Sequence, residues 1–225
     1  MRRSALLIPL LVGCNPDASP VVDDPLALSG HDGAPAVVIP SDATLPVVLA
    51  AKEVRRYTYQ RTGTLLSLTS ADALPPGDVV LVAPETSLLV EPFGGSLGGL
   101  LAPGGFAIVS VPSDDRSVLV IAGQDPDATL HAAYRYAEHL GVGFGLEGDI
   151  LPDEPVTLDL DGFDERAEPV LETRGLLPFH NFPQGPDFWS TDDYLLVVGQ
   201  LPKLGLNFIG LHTYPHWSTT EEAGL

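Results

Sequence analysis

Cysteine occurs once in these 225 residues, at position 14, and lysine and arginine together number 11 against 30 aspartates and glutamates. A lone cysteine has no disulfide partner within the chain. The formal net charge of -19 repels a phosphate backbone, which excludes nucleic acid as a partner. The acidic residues are scattered without a long like-charge block, the pattern of a solvated acidic surface. Several motifs are also missing. No G-x-x-x-x-G-K-[ST] is present, so the glycine-rich stretch 91–105 reads as a flexible loop and not a phosphate cradle. Asp159, Asp161 and Asp164 lack the spacing of an EF-hand, and no H-E-x-x-H supports a zinc hydrolase. No metal or other cofactor is expected.

The N-terminus carries more information than the total charge. Met1-Arg2-Arg3 is a short basic segment, and Ala5 to Val12 is an apolar run too short to cross a bilayer as a helix. Together they read as a bacterial export signal over 1–13. The run closes on Leu11-Val12-Gly13-Cys14, which resembles the lipobox of bacterial lipoproteins. That resemblance implies lipidation of Cys14 and an exported, lipid-anchored protein on the periplasmic or cell-surface side of a membrane. Residues 14–35, rich in Pro, Asp, Ser and Gly, suit a tether, and His31 within them reads as a solvated loop residue.

At 44% hydrophobic residues the chain can bury a real core. Ala36 to Ile39 is a short β-branched run that predicts a buried strand. Val47, Ala51, Val54 and Thr58 follow at helical spacing, with Pro46 near the first turn and Gly63 as a stop, which predicts a helix of about four turns. "TLLSLTS" and "DVVLVAP" predict two more strands; "FAIVSVP" and "SVLVIAG" flank a four-residue connector that suits a hairpin. Asp125 then offers an N-cap, Pro126 the first helical position and Gly141 an end. Leu130, Ala133, Tyr134, Ala137 and Leu140 make one apolar stripe, with His131, Arg135, Glu138 and His139 mostly off it. The order strand, helix, four strands, helix predicts an α/β sandwich over 36–151, a mixed sheet with helices on one face. The acidic, Pro-bearing segment 152–172 reads as a linker or edge strand.

One stretch departs from this ordinary pattern. "RGLLPFHNFPQGPDFW", residues 174–189, gathers Arg174, His180, three prolines and Trp189, in a chain with two Trp and six His. "TRGLLPFH" predicts a strand, Thr191 to Gly205 a helix weakened by Gly199 and Pro202, and "LNFIGLHTYP" a second strand. This is a βαβ order over 173–225, and one such unit cannot cover its own parallel sheet on both faces.

The helix ending in "YTYQRTG" and the segment "AGQDPDATLHAAYRYAEHLGVGF" resemble the small α/β domain that precedes the barrel in family-20 β-hexosaminidases and family-67 α-glucuronidases. "RGLLPFHNFPQGPDFW", "DDY" and "LPKLGLNFIGLHTYPHW" resemble the first β/α repeat and second strand of the catalytic (β/α)8 barrel of those enzymes. The resemblance implies an α/β sandwich followed by the first βαβ unit of an incomplete TIM barrel, in an exported glycoside hydrolase acting on amino-sugar or uronate glycosides. It implies that Arg174, matching the family's Arg-Gly pair, faces sugar hydroxyls or a uronate carboxylate. It also places His180, Asn181, His212, Tyr214 and Trp217 at strand C-termini, with Trp189 and Trp217 offering faces to pyranose rings. From the residues alone, Arg174 also suits a pair with Glu172 or Asp187, and Phe179, Phe182 and Trp189 suit packing. Such hydrolases need two carboxyl groups around the scissile bond, and family 20 carries its Asp-Glu pair after the fourth barrel strand. The 225 residues stop before that point, so the expectation is a fragment inactive by itself, with a non-catalytic glycan- or protein-binding surface lipoprotein as the alternative.

Overall fold

The structure, a computed structural model, describes residues 26–113, 116–178 and 186–210. Cys14, His180, Asn181, His212, Tyr214 and Trp217 lie outside these described residues.

Strands β1 (Ala27–Leu28), β2 (Ala36–Pro40), β3 (Ser67–Ala71), β4 (Val79–Pro84), β5 (Phe106–Ser113), β6 (Arg116–Gly123) and, later in the chain, β9 (Asp164–Ala167) form one seven-stranded mixed sheet. Its order is β1-β3-β2-β4-β6-β5-β9. The inner pairs β3/β2, β2/β4 and β4/β6 are parallel, while β1, β5 and β9 join antiparallel. The central strands read as continuous apolar runs because both of their faces are covered.

Helices α1 (Leu45–Thr62) and α3 (Pro126–His139) lie against the face carrying Val37, Val80, Leu119 and Ile121. A short helical turn, α2 (Gly94–Leu97), is part of the cover on the other face, where Leu89, Val90 and Leu97 pack on Val79, Leu81 and Val120. The mixed α/β class and the two long helices on one face match the sequence expectation. The glycine-rich stretch differs from the expected loop because its few apolar side chains cover a hydrophobic sheet face. Arg166 of β9 ties it down, donating from Nε to the Leu97 carbonyl at 2.7 Å.

Local signals explain the helix ends. Gly63 closes α1 in the left-handed region at φ 73°, with its N–H on the Tyr59 carbonyl. The Asp125 side chain caps α3, accepting from Ala128 N at 2.7 Å. Gly123 is required where β6 meets that cap, since a Cβ there would lie 2.1 Å from Thr129 N.

Two boundaries differ from the expectation. Ala27–Leu28, inside the predicted tether, is an edge strand on β3, and His31 N donates to the Leu65 carbonyl at 2.7 Å. Asp164–Ala167, inside the predicted linker, is the edge strand on β5, and Leu160 before it is buried. Polar strands such as β9 suit an edge, where one side faces water. The three aspartates considered for calcium have other partners: Asp159 accepts from Asp161 N, Asp161 from Ser117 Oγ, and Asp164 pairs with Arg166. Among the described residues no group of three or more His, Cys, Asp or Glu is placed to hold a metal. No described helix is long and apolar enough to cross a membrane.

Arg61 joins α1 to the chain that follows α3. It is buried, and its guanidinium donates to the carbonyls of Leu140 (2.8 Å), Pro152 and Glu154 (2.6 Å), while its own carbonyl accepts from Val156 N.

Beyond α3, β7 (Gly143–Gly145) and β8 (Gly148–Ile150) form a small hairpin. The chain then builds β10 (Gly175–Leu176), α4 (Thr191–Gln200) and β11 (Phe208–Ile209), with β10 and β11 paired in parallel. This is a βαβ unit. Ser190 and Asp193 form a capping box at the start of α4, and Pro202 ends the helix by opening a short 3-10 turn.

Candidate functional site

The βαβ unit meets the sandwich in two different kinds of concavity. The first is a groove of about 470 Å³ past the C-terminal end of β10. Leu177 and Pro178, which follow β10, form one wall, Trp189 and Leu196 another, and Leu146-Glu147 at the turn of the β7–β8 hairpin the third. Among the described residues the lining is mainly apolar, and its charged groups are Glu147 and Asp193. Trp189 packs edge-on against Tyr194, with ring centroids 5.2 Å apart. The Tyr194 hydroxyl donates to the Pro186 carbonyl at 2.9 Å and so fixes the Trp-bearing turn to the helix. Asp193 accepts from the backbone N–H and hydroxyl of Ser190, both at 2.8 Å, and these bonds hold its carboxyl below the ordinary carboxylate value.

The second concavity is a pair of adjoining clefts of about 310 and 550 Å³, both lined by Gly104, His131, Glu168, Pro169 and Arg174. His131 is partly buried here, not solvated as its place off the apolar stripe suggests. Burial, with the neighbouring charge of Arg174, lowers its pKa and favours the neutral ring.

Arg174 belongs to this second concavity and stands at the head of β10, the opposite end from the Trp189 groove. Its guanidinium is turned onto backbone: Nε donates to the Gly205 carbonyl at 2.8 Å and Nη1 to the Leu171 carbonyl at 2.7 Å. The contact with Glu172 is to its carbonyl, at 3.4 Å, and not to its carboxylate. The Arg174 backbone also pairs with Asn207, which donates through N and accepts through Oδ1. Gly175 has an equally local reason, since a Cβ there would fall 2.0 Å from the Phe208 carbonyl oxygen. Arg174-Gly175 thus clamps β10 to β11, and the structure does not bring Arg174 together with Trp189.

A hub of polar side chains sets the wall of the groove. Asp149 of β8 accepts from Lys203 Nζ and from the Tyr57 hydroxyl, both at 2.7 Å, with Arg56 Nη2 at 3.4 Å. In the amide orientation that satisfies its neighbours, buried Gln200 donates to Asp149 at 3.3 Å and accepts from Lys203 at 3.2 Å. Phe144 completes the cluster, edge-on to Tyr57 and Tyr134. Burial raises the Asp149 carboxyl, but the hydrogen bonds from Lys203 and Tyr57 and the charges of Lys203 and Arg56 outweigh it, so its pKa is lowered. Burial, reinforced by the bond to Asp149, pushes the Tyr57 hydroxyl far up, so it stays a donor. Among the described residues Asp149–Lys203 is the ion pair that joins the βαβ unit to the sandwich. It lies two residues from Glu147, so it also fixes the hairpin that walls the groove.

Sequence reasoning reached Trp189 through its rarity. It missed Leu146, Glu147, Asp149 and Lys203; Asp149 meets Lys203 and Tyr57 from 54 and 92 positions away along the chain. No local pattern announces such a meeting. No protein-family model matches the chain, and no curated protein matches it.

Proposed function

We propose that this chain is part of an exported, lipid-anchored protein of glycoside-hydrolase type, and that the groove beyond β10 holds carbohydrate against Trp189. The observation that carries the reading is a parallel βαβ unit whose first strand ends at a Trp-bearing groove. In barrels built from such units, ligand sites form at the strand C-termini. A groove of about 470 Å³ suits a small ligand of one or two sugar rings. The indole supplies an apolar face for a pyranose, and Glu147 and Asp193 supply acceptors for its hydroxyls.

Arg174 acts in this reading as a brace for the unit and not as a ligand for sugar. Lipidation of Cys14 would hold the folded part at a membrane surface.

A second reading, a glycan-binding lipoprotein without catalysis, is favoured by the state of Asp193. Its carboxyl is tied to the helix cap and held ionised. That suits accepting hydrogen bonds rather than donating a proton to a leaving group.

The experiment is a glycan-array screen of the full chain, followed by titration of the best binder into the parent protein and Trp189→Ala. The expected result is binding by the parent and affinity roughly tenfold weaker in the variant. Equal binding by both proteins, or none by the parent, removes the carbohydrate reading.

A further inference from the structure

We infer that the groove beyond β10 selects a sugar carrying a free ammonium group and disfavours one carrying a carboxylate. This rests on the carbohydrate reading above and narrows its substrate class.

The charge pattern is one-sided. Among the described residues, the ionisable side chains that line the groove are Glu147 and Asp193. Two basic residues of this part of the chain are directed elsewhere. Lys203 donates to Asp149 on the far side of the hairpin, and Arg174 donates to backbone carbonyls at the other end of β10. A uronate placed on Trp189 would therefore add a third carboxylate with no cation among the described lining residues to receive it. An ammonium would meet two carboxylates and an indole face, which attracts cations through its quadrupole. Leu146, Leu177, Pro178 and Leu196 supply the apolar walls beside these charges. The formal net charge of -19 acts in the same direction at longer range, concentrating cationic ligands and repelling anionic ones. An N-acetylated amino sugar, being neutral, falls between the two.

The test titrates three probes of equal length into the full chain at low salt: a β-linked glucosamine oligomer, its fully N-acetylated counterpart and a glucuronate-containing oligomer. The ammonium form is expected to bind roughly tenfold more tightly than the acetylated form, with the uronate weakest. Added salt narrows the gap. Glu147→Gln, at an exposed turn, is expected to remove most of the ammonium preference, bringing the affinities of the ammonium and acetylated probes to within about twofold of each other. Equal affinity for the ammonium and acetylated probes, or tightest binding of the uronate, overturns the inference while the carbohydrate reading stands. Binding of none of the three, together with an empty glycan array, overturns both.

Discussion

The sandwich and the βαβ unit treat their apolar residues in opposite ways. Helix α3 buries Ala128, Leu130, Ala132, Ala133, Tyr134, Tyr136 and Ala137, and the central strands are sealed on both faces. Helix α4 has a comparable share of aliphatic residues, yet its buried residue among those described is Gln200, while Leu195, Leu196 and Val198 are exposed. Amphipathic helices are stabilised mainly by packing of their apolar face. The sandwich therefore supplies its own stability, whereas the βαβ unit depends on its cap, its Arg174 clamp and the Asp149–Lys203 pair.

The largest effect that sharpens this contrast is expected in the sandwich. Ile121→Ala removes a fully buried side chain between α3 and the sheet, at a cost of about 2–5 kcal/mol. Chemical denaturation of the parent and variant measures it; a loss under 1 kcal/mol would mean that the two-sided core is looser than its burial implies.

Lys203→Met comes next, at about 1–3 kcal/mol, because it leaves a half-buried carboxylate without its lysine counter-charge. Its effect should fall on the seating of the βαβ unit, read as faster amide exchange in α4 and β11 with β4 and β6 unchanged. The pH dependence has a defined sign. Asp149 has a folded pKa below its ordinary value of 3.8, so the unfolded chain takes up the proton first. The stability it contributes is complete above that value and is lost as pH falls below it. Acid titration of the parent should loosen α4 before the sandwich, and Lys203→Met should blunt that step.

The smallest effect is expected at Leu195→Ser. This side chain is exposed on α4, so the folded unit should change by no more than about 0.5 kcal/mol. A loss of 2 kcal/mol or more would show that α4 is covered in solution and would erase the contrast between the two regions.

Legibility in the sequence follows the range of the forces involved. Helices α1 and α3 were readable because caps and apolar spacing act within a few residues: Pro46 and Gly63 bound one, Asp125 and Pro126 open the other. The apolar runs of β2, β4 and β6 were readable for the same reason. Edge strands β1 and β9 were not, because Ala27-Leu28 is too short to show a period and Asp164–Ala167 is polar and held by backbone pairing with β5. The groove was half legible. Trp189 stood out by scarcity, but Leu146 and Glu147 reach it through a hairpin positioned by Asp149. Arg174 was legible as unusual and not as a brace, since its acceptors are carbonyls, which carry no residue identity.

Arg61 gives the two halves of the molecule different chemical vulnerabilities. It is a permanent cation whose acceptors are the carbonyl oxygens of Leu140, Pro152 and Glu154, groups without a titration of their own. Acid leaves this joint's charges unchanged, and its burial shields it from salt. The Asp149–Lys203 joint, built from two ionisable groups, is exposed to both. A change in the medium can therefore release the groove's far wall while the first helix stays stapled to the chain that follows α3.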